Sequence, residues 1–315
     1  MKLDRRRFIG ITAGCLLGAH PVLASGATGA RWRGGALGAH ADLHLVGLPA
    51  IEAEGLLRAA RGEIERLERQ FSLYRADSAL VRLNATGILE QPGPDMLELC
   101  SLVSTVFQAS SGRFDPSVQP LWTAYARAGG APDRKALAAA RAAIGWDRVD
   151  VTVDRIRLAP GAALTFNGIA QGFITDRVVR LLKAQGLETG LVCLGEIAAV
   201  GASPSGGGWA VGLADREDQP ADARIHLQDR AVATSSSDGT LFGAGPAGHI
   251  LDPETGTAAP ADWRRVSVIH RSAALADGLS TAAVLENPTG LREMSNRVPG
   301  AEIHAIARDG HDLIL

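Results

Sequence analysis

Cysteine is scarce: the 315 residues hold three, Cys15, Cys100 and Cys193, with no Cys-x-x-Cys pair and no metal-finger spacing. A zinc or disulfide scaffold is thereby excluded. Excess charge is lacking too. The formal net charge of −2 provides no broad basic field, which excludes a nucleic-acid partner bound by phosphate neutralisation. Beyond the first residues no apolar run approaches a membrane span, and no repeat of solenoid period is present. What remains is ordinary for a globule: 46% hydrophobic and 21% charged residues. That is enough chain for one large domain or two intimate subdomains around a real core.

The N-terminus reads as an address. Arg5-Arg6-Arg7-Phe8-Ile9 is a twin-arginine pattern, followed by a short apolar run from Ile9 to Ala19 and small residues around Val22-Leu23-Ala24. The expectation is a signal peptide over 1–24, cleavage near Ala24, and export by the twin-arginine route to the periplasm. Cys15 follows Thr12-Ala13-Gly14, a lipoprotein-like box without its leading leucine, so cleavage near Ala24 is favoured over a lipid anchor. The mature chain would then keep only Cys100 and Cys193, paired or free.

Residues 25–40, rich in Gly and Ala, read as a flexible leader, and 41–315 as a single folded domain. Ala41–Gly47 reads as a strand. Ile51, Leu56, Leu57, Ile64, Leu67 and Phe71 recur at helical spacing across 51–73. Further helices are predicted over Met96–Ala109, Arg134–Ile144 and Gly168–Gln185, and a last one opens at Asp277. Val149–Val153 and Arg155–Leu158 read as paired strands. After Leu187 short β runs with Gly-rich turns take over at 190–200, 209–213, 224–227 and 266–270, with a late strand at 301–307. Helices set among antiparallel hairpins indicate an α+β fold rather than a doubly wound parallel sheet.

Four segments combine polar residues with turn punctuation. In Gly112-Arg113-Phe114-Asp115-Pro116-Ser117-Val118, Asp115 caps a helix that Pro116 opens, or offers an acid to a ligand. In Leu164-Thr165-Phe166-Asn167-Gly168-Ile169-Ala170-Gln171-Gly172, an apolar strand runs through a Gly turn into a helix. Backbone groups exposed at such a junction suit phosphate or metal contact; the plainer alternative makes Asn167 a cap and the glycines packing sites. His249-Ile250-Leu251-Asp252-Pro253-Glu254-Thr255-Gly256 is strong turn chemistry after a histidine, which can be structural or a base. In Ala276-Asp277-Gly278-Leu279-Ser280-Thr281, Asp277 is read as an N-cap with Thr281 one turn on. A carboxylate and a hydroxyl so placed suit Mg2+, which completes its octahedron with phosphates and water. Gly243–Gly248 fits G-x-G-x-x-G, but no βαβ unit surrounds it, so it carries no dinucleotide reading.

Taken in order, these segments resemble the ApbE family, the FAD:protein FMN transferases. The likeness includes Phe71-Ser72-Leu73-Tyr74-Arg75-Ala76-Asp77-Ser78, Phe-Asp-x-x-Val at 114–118, Gly-Ile-Ala-x-Gly at 168–172 and Leu194-Gly195-Glu196-Ile197. It continues through Ala233-Thr234-Ser235, the His249 segment and the Asp277 segment, and so covers nearly all the mature chain. The resemblance implies an ApbE-like α+β fold, with two T-fold-like subdomains of antiparallel sheets and packed helices in one globule. It implies Mg2+-dependent transfer of FMN from FAD, the substrate, to a Thr/Ser hydroxyl of an acceptor flavoprotein, with AMP released. Tyr74, Arg113, Phe114, Asp115, Thr165, Gln171, His249 and Ile250 match cofactor-binding positions. Gly168, through its main-chain oxygen, and Asp277, Ser280 and Thr281 match metal positions. His249 is the first candidate for the catalytic base, and a metal-linked carboxylate the second.

Three departures accompany the likeness. Thr165 stands where an acidic residue is usual, Ser236 where Gly is common, and Glu196 where Gly or Asn is frequent. Asn-Gly-Ile-Ala-Gln-Gly and Gly-Glu-Ile resemble the NosX-like branch that serves nitrous-oxide respiration, which implies a membrane flavoprotein of that pathway as acceptor. Its modified segment would read Asp/Ser-Gly-x-Ser/Ala/Thr-Thr, a pattern that Asp277–Thr281 itself fits. The rival reading is a non-catalytic periplasmic FAD-binding or flavin-delivery accessory protein of a respiratory complex. A general periplasmic solute receptor explains neither the Asp277/Thr281 pair nor His249 with Asp252.

Overall fold

The computed structural model describes residues 15–16, 29–215, 219–243 and 245–315. The twin-arginine run, the cleavage region near Ala24 and the Cys15 side chain lie outside the described residues. Strand β1 (Cys15–Leu16) is a two-residue backbone pairing; the fold proper starts with β2 (Gly29–Ala36) and β3 (Ala39–Val46). The flexible leader expected over 25–40 is therefore corrected across its described part. Gly and Ala have low strand propensity, but β2 is held by backbone pairing from Gly29↔Val46 to Ala36↔Ala39. Leu37 and Gly38, both at positive φ, make its tight turn.

Helix α1 (Ala50–Phe71) buries Leu56, Leu57, Ala60, Ile64, Leu67 and Phe71. Ile51, expected on that face, is 84% exposed, because the first turn precedes the part of the helix that meets the core. Next come α2 (Ala79–Thr86), β4 (Ile88–Glu90), α3 (Pro94–Ala109), α4 (Gln119–Arg127) and α5 (Arg134–Ala142). The expected paired strands are β5 (Asp150–Val151) and β6 (Arg155–Arg157), joined by β4 in a small sheet. Residues 164–166, expected as a strand, pair with no sheet; α2 holds them instead through Asn84, which accepts from Leu164 N–H at 2.7 Å and donates to Leu164 O at 2.8 Å.

Helix α6 (Ala170–Ala184) leads into β7 (Thr189–Leu194), β8 (Ile197–Val200), β9 (Trp209–Leu213), β10 (Ala223–Leu227), β11 (Ala231–Ser235) and β12 (Trp263–His270). The chain closes with α7 (Ala273–Ala283), α8 (Pro288–Arg297), β13 (Glu302–Ala307) and β14 (Asp312–Ile314). Eight strands form the central sheet, in the order β14-β13-β12-β11-β8-β7-β3-β2, with every pair antiparallel. The α+β class with antiparallel sheets and packed helices is the one the chain adopts.

Both faces of the middle of this sheet are covered, so β7 and β8 read as near-continuous apolar runs. Val192 and Leu194 of β7 face the main core with α1, α3, α6 and α7, while Leu191 turns to a second cluster with Trp209 and Val211 of β9. Cys100 is a free thiol, and burial pushes it up to about 12. No helix among the described residues is long and apolar enough to cross a membrane.

The element that positions the site is α7, which is buried almost all round. Its N-cap is Ser272, whose hydroxyl accepts from Leu275 N–H. Asp176 of α6 completes the cap, accepting from Ala273 N–H at 2.7 Å and Ala274 N–H at 3.0 Å. Asp277 is therefore corrected from cap to interior: it lies in the second turn, and the helix opens before it because Ser272 satisfies the first amides. Small residues let the helices close. A Cβ on Gly172 would stand 2.2 Å from Ala273 O, and one on Gly278 2.9 Å from Val106 Cγ2.

Candidate active site

One cleft of about 240 Å3 gathers side chains from across the chain. Its floor comes from α7, with Asp277 and Thr281, and from the β7–β8 turn, with Glu196. One wall is the 164–168 segment, anchored by Asn84 and by Thr165 N–H donating to Pro116 O at 2.8 Å. Phe114 and Asp115 continue that wall, a Cβ on Gly168 standing 3.2 Å from the Phe114 ring, and Tyr74, Trp122 and His249 also line the cleft. The volume lies a little below the usual range for an enclosed drug-sized ligand, so a dinucleotide here would leave part of its length outside.

Asp277 and Thr281 project from consecutive turns of one helix face. Gly168 crosses close to them: a Cβ there would stand 3.0 Å from Thr281 Oγ1. Asp277 accepts from Gly172 N–H at 3.0 Å. Burial, reinforced by the neighbouring Asp176, pushes the Asp277 carboxyl up to about 7 against the Gly172 bond. Glu196 is raised well above the carboxylate range by burial and then by repulsion from Asp277. Among the described residues no cation pairs with either carboxylate. Hard oxygen donors with surplus negative charge are the chemistry of a divalent-cation site. No group of three or more His, Cys, Asp or Glu residues among those described could hold a metal, so such an ion needs hydroxyl, backbone, water or phosphate oxygens as well. Gly168, Asp277 and Thr281 fit that requirement.

His249 stands where β-bridged backbone meets the cleft, its N–H donating to Thr240 O at 2.9 Å. Nδ1 also lies 3.1 Å from Thr240 O. A carbonyl can only accept, so Nδ1 carries the proton and Nε2 presents its lone pair. Burial lowers the His249 pKa, opposed by the Thr240 bond, so the imidazole is neutral near pH 7.

The other expected residues divide by what they are free to do. Gln171 is buried against the cleft beneath Gly195, and Ile250 adds an apolar surface. Tyr74 accepts from Asn167 Nδ2 at 3.4 Å, which places Asn167 on the rim rather than at a helix cap. Thr165 Oγ1 accepts from Asn167 N–H at 3.2 Å. Asp115 uses both oxygens inside the protein, for Ser117 N–H at 2.8 Å and Trp146 N–H at 3.0 Å, so it shapes the loop that Phe114 presents. Arg113 is pinned by Asp252 at 2.9 Å, Glu254 at 3.1 Å and Glu286 at 3.8 Å, tying the Asp-Pro-x-Thr-Gly turn to the cleft wall.

Ser280 does not line the cleft. Its hydroxyl donates to Asp277 O at 3.0 Å and lies 2.8 Å from Ser235 Oγ, and Ser235 is the hydroxyl that reaches the cleft wall. Sequence reasoning also passed over Trp122 and gave Glu196 no role. Glu196 had a signal in the unusual Leu194-Gly195-Glu196 turn. Trp122 had none, since it reaches the cleft only through the packing of α4.

Fold and cleft together define the class: an α+β protein with a ligand cleft floored by carboxylate and hydroxyl oxygens and flanked by a neutral imidazole. The chain belongs to the ApbE family, whose model matches residues 37–305. A FAD:protein FMN transferase of Treponema pallidum is 30% identical over 265 residues, covering 74% of this chain and 72% of the relative. The apo flavinyl transferase ApbE of Pseudomonas stutzeri is similar in structure, with TM-score 0.77 and 29% identity over 91% of this chain and 95% of that one. The ApbE protein of Thermotoga maritima, at 24% identity, shares the fold with TM-score 0.80 over 91% of this chain and 96% of its own.

Proposed function

We propose that this protein transfers FMN from FAD to a Thr or Ser hydroxyl of an acceptor flavoprotein, releasing AMP, with Mg2+ as cofactor. The supporting observation is the convergence of Asp277, Thr281 and His249 on one cleft, in a chain whose relatives are named FAD:protein FMN transferases. Gly168 O, Asp277 and Thr281 would hold Mg2+, which neutralises phosphate charge when bound. Tyr74, Phe114 and Ile250 supply apolar surface for the flavin side, and Gln171 an amide for its polar edge. The acceptor oxygen attacks the FMN-side phosphorus, the bond from that phosphorus to the bridging oxygen breaks, and AMP carries that oxygen away. The hydroxyl proton passes to His249 Nε2.

Export by the twin-arginine route places this activity in the periplasm, on an acceptor bearing Asp/Ser-Gly-x-Ser/Ala/Thr-Thr. The NosX-like features favour a membrane flavoprotein of nitrous-oxide respiration. The test is incubation with FAD, Mg2+ and an acceptor carrying that motif, read by flavin fluorescence on a denaturing gel and by intact mass. An FMN adduct on the acceptor with AMP formed is the expected result. Tight FAD binding with no adduct on any acceptor would replace the enzyme with a flavin-delivery protein.

A further inference from the structure

Glu196 lies in the same cleft as the proposed cation ligands but has no part in the set just described. It sits on the two-residue turn between β7 and β8, closed by Leu194 N–H donating to Glu196 O at 3.0 Å. Gly195 takes φ +98°, and a Cβ there would come within 2.7 Å of the Gln171 amide, so the turn is packed against α6. Both flanking strands lie inside the central sheet, β7 beside β3 and β8 beside β11. Glu196 is thus carried on rigid backbone, as Asp277 is.

Its side chain is enclosed, the residue being 5% exposed. Removing a carboxylate from water is costly unless a counter-charge meets it. From the protein Glu196 receives the Thr234 N–H, and the charge that acts on it is the like charge of Asp277, which lines the same cleft. No Arg, Lys or His among the described residues balances the pair. Two carboxylates facing one cleft from two fixed elements repel each other when the cleft holds water, and attract a common cation when it holds one.

We propose that Glu196 is a further ligand of the divalent ion, which this chain then grips between two carboxylates, one on the β7–β8 turn and one on α7. The inference rests on reading Asp277 and Thr281 as a cation site. Two carboxylates neutralise a dication, so the ion binds firmly before any phosphate arrives.

The test uses Mn2+ alone, without FAD, titrated into the purified chain and followed by the electron paramagnetic resonance of free Mn2+. Wild type is expected to bind, D277N to lose binding, and E196Q to bind at least about tenfold more weakly, since a full carboxylate ligand is removed. E196Q binding as tightly as wild type, or more tightly, overturns the role of Glu196 while leaving the cation site standing. A wild type that takes up no Mn2+ overturns both. Where E196Q does not fold, E196D, whose carboxylate is one methylene short, is expected to bind several-fold more weakly; equal affinity counts against the proposal.

Discussion

Replacing Gly172 by alanine tests how the packing of two helices sets the chemistry of the cleft. The added Cβ would stand 2.2 Å from Ala273 O, whereas carbon and carbonyl oxygen need about 3.3 Å. The obstacle is backbone at a capped helix start, so α6 and α7 must part by about 1 Å. Gly172 N–H donates to Asp277 at 3.0 Å, and the same displacement opens that bond beyond hydrogen-bonding range. Overpacking costs about 1–3 kcal/mol, and a hydrogen bond to a charged group about 1.5–3 kcal/mol. The better helix propensity of alanine returns up to about 1 kcal/mol. The net loss is about 2–5 kcal/mol, which for a chain of this size lowers Tm by roughly 3–8 °C. Gly62 is the control, exposed on α1 with nothing within 4 Å of its added Cβ, so G62A should stabilise by about 0.5–1 kcal/mol. Thermal melts of both variants decide the matter. A G172A protein that melts at or above wild type refutes the close-approach argument and removes the link from α6 to Asp277.

Because burial keeps His249 neutral to below its ordinary value, FMN transfer should hold steady near pH 7 and fall only on the acid side. H249A should be slower by about 10²–10⁴-fold and, with Mg2+ saturating so that Asp277 stays ionised, lack that acid limb in a pH–rate profile. Asp277 is pushed up to about 7, so the folded chain keeps a proton that the unfolded chain has lost by about pH 4. Its contribution is fully present below the unfolded pKa and disappears as pH rises through about 7. Saturating Mg2+ should therefore raise Tm more at about pH 8 than at about pH 5.5, relative to chelator; equal shifts would speak against a cation at Asp277. Arg265 is 1% exposed and paired to Asp222 at 2.7 Å and Asp215 at 3.2 Å. Arg264 also meets both carboxylates, at 2.6 Å and 3.0 Å, so R265A leaves neither without a partner and should cost about 1–3 kcal/mol through the lost charge-assisted bonds, which denaturant titration measures.

Periodicity alone located α1, α3, α5 and α6 and the hairpin strands after Leu187, because each buries one face at a spacing that its own residues declare. Turn chemistry located the 252–256 turn and the Asp115 cap, since both depend on residues two or three apart. Strand β2 was invisible because its Gly- and Ala-rich segment is held by a partner strand rather than by its own propensity. The cap of α7 lies five residues before the expected Asp277, at Ser272, and half of that cap comes from Asp176 on another helix.

The site divides along the same line. Asp277 and Thr281 were legible together because four residues make one helical turn, and His249 was legible as a residue type beside a turn. Tertiary structure decided that Nδ1 of His249 faces a carbonyl and frees Nε2, that Ser280 turns away while Ser235 reaches the cleft, and that Glu196 meets Asp277. Local order follows from neighbours in the chain, which a sequence displays. Which carboxylate faces which, and whether water can reach either, depends on contacts between residues 81 positions apart, as Glu196 and Asp277 are, and only the packed sheet and helices bring those into being.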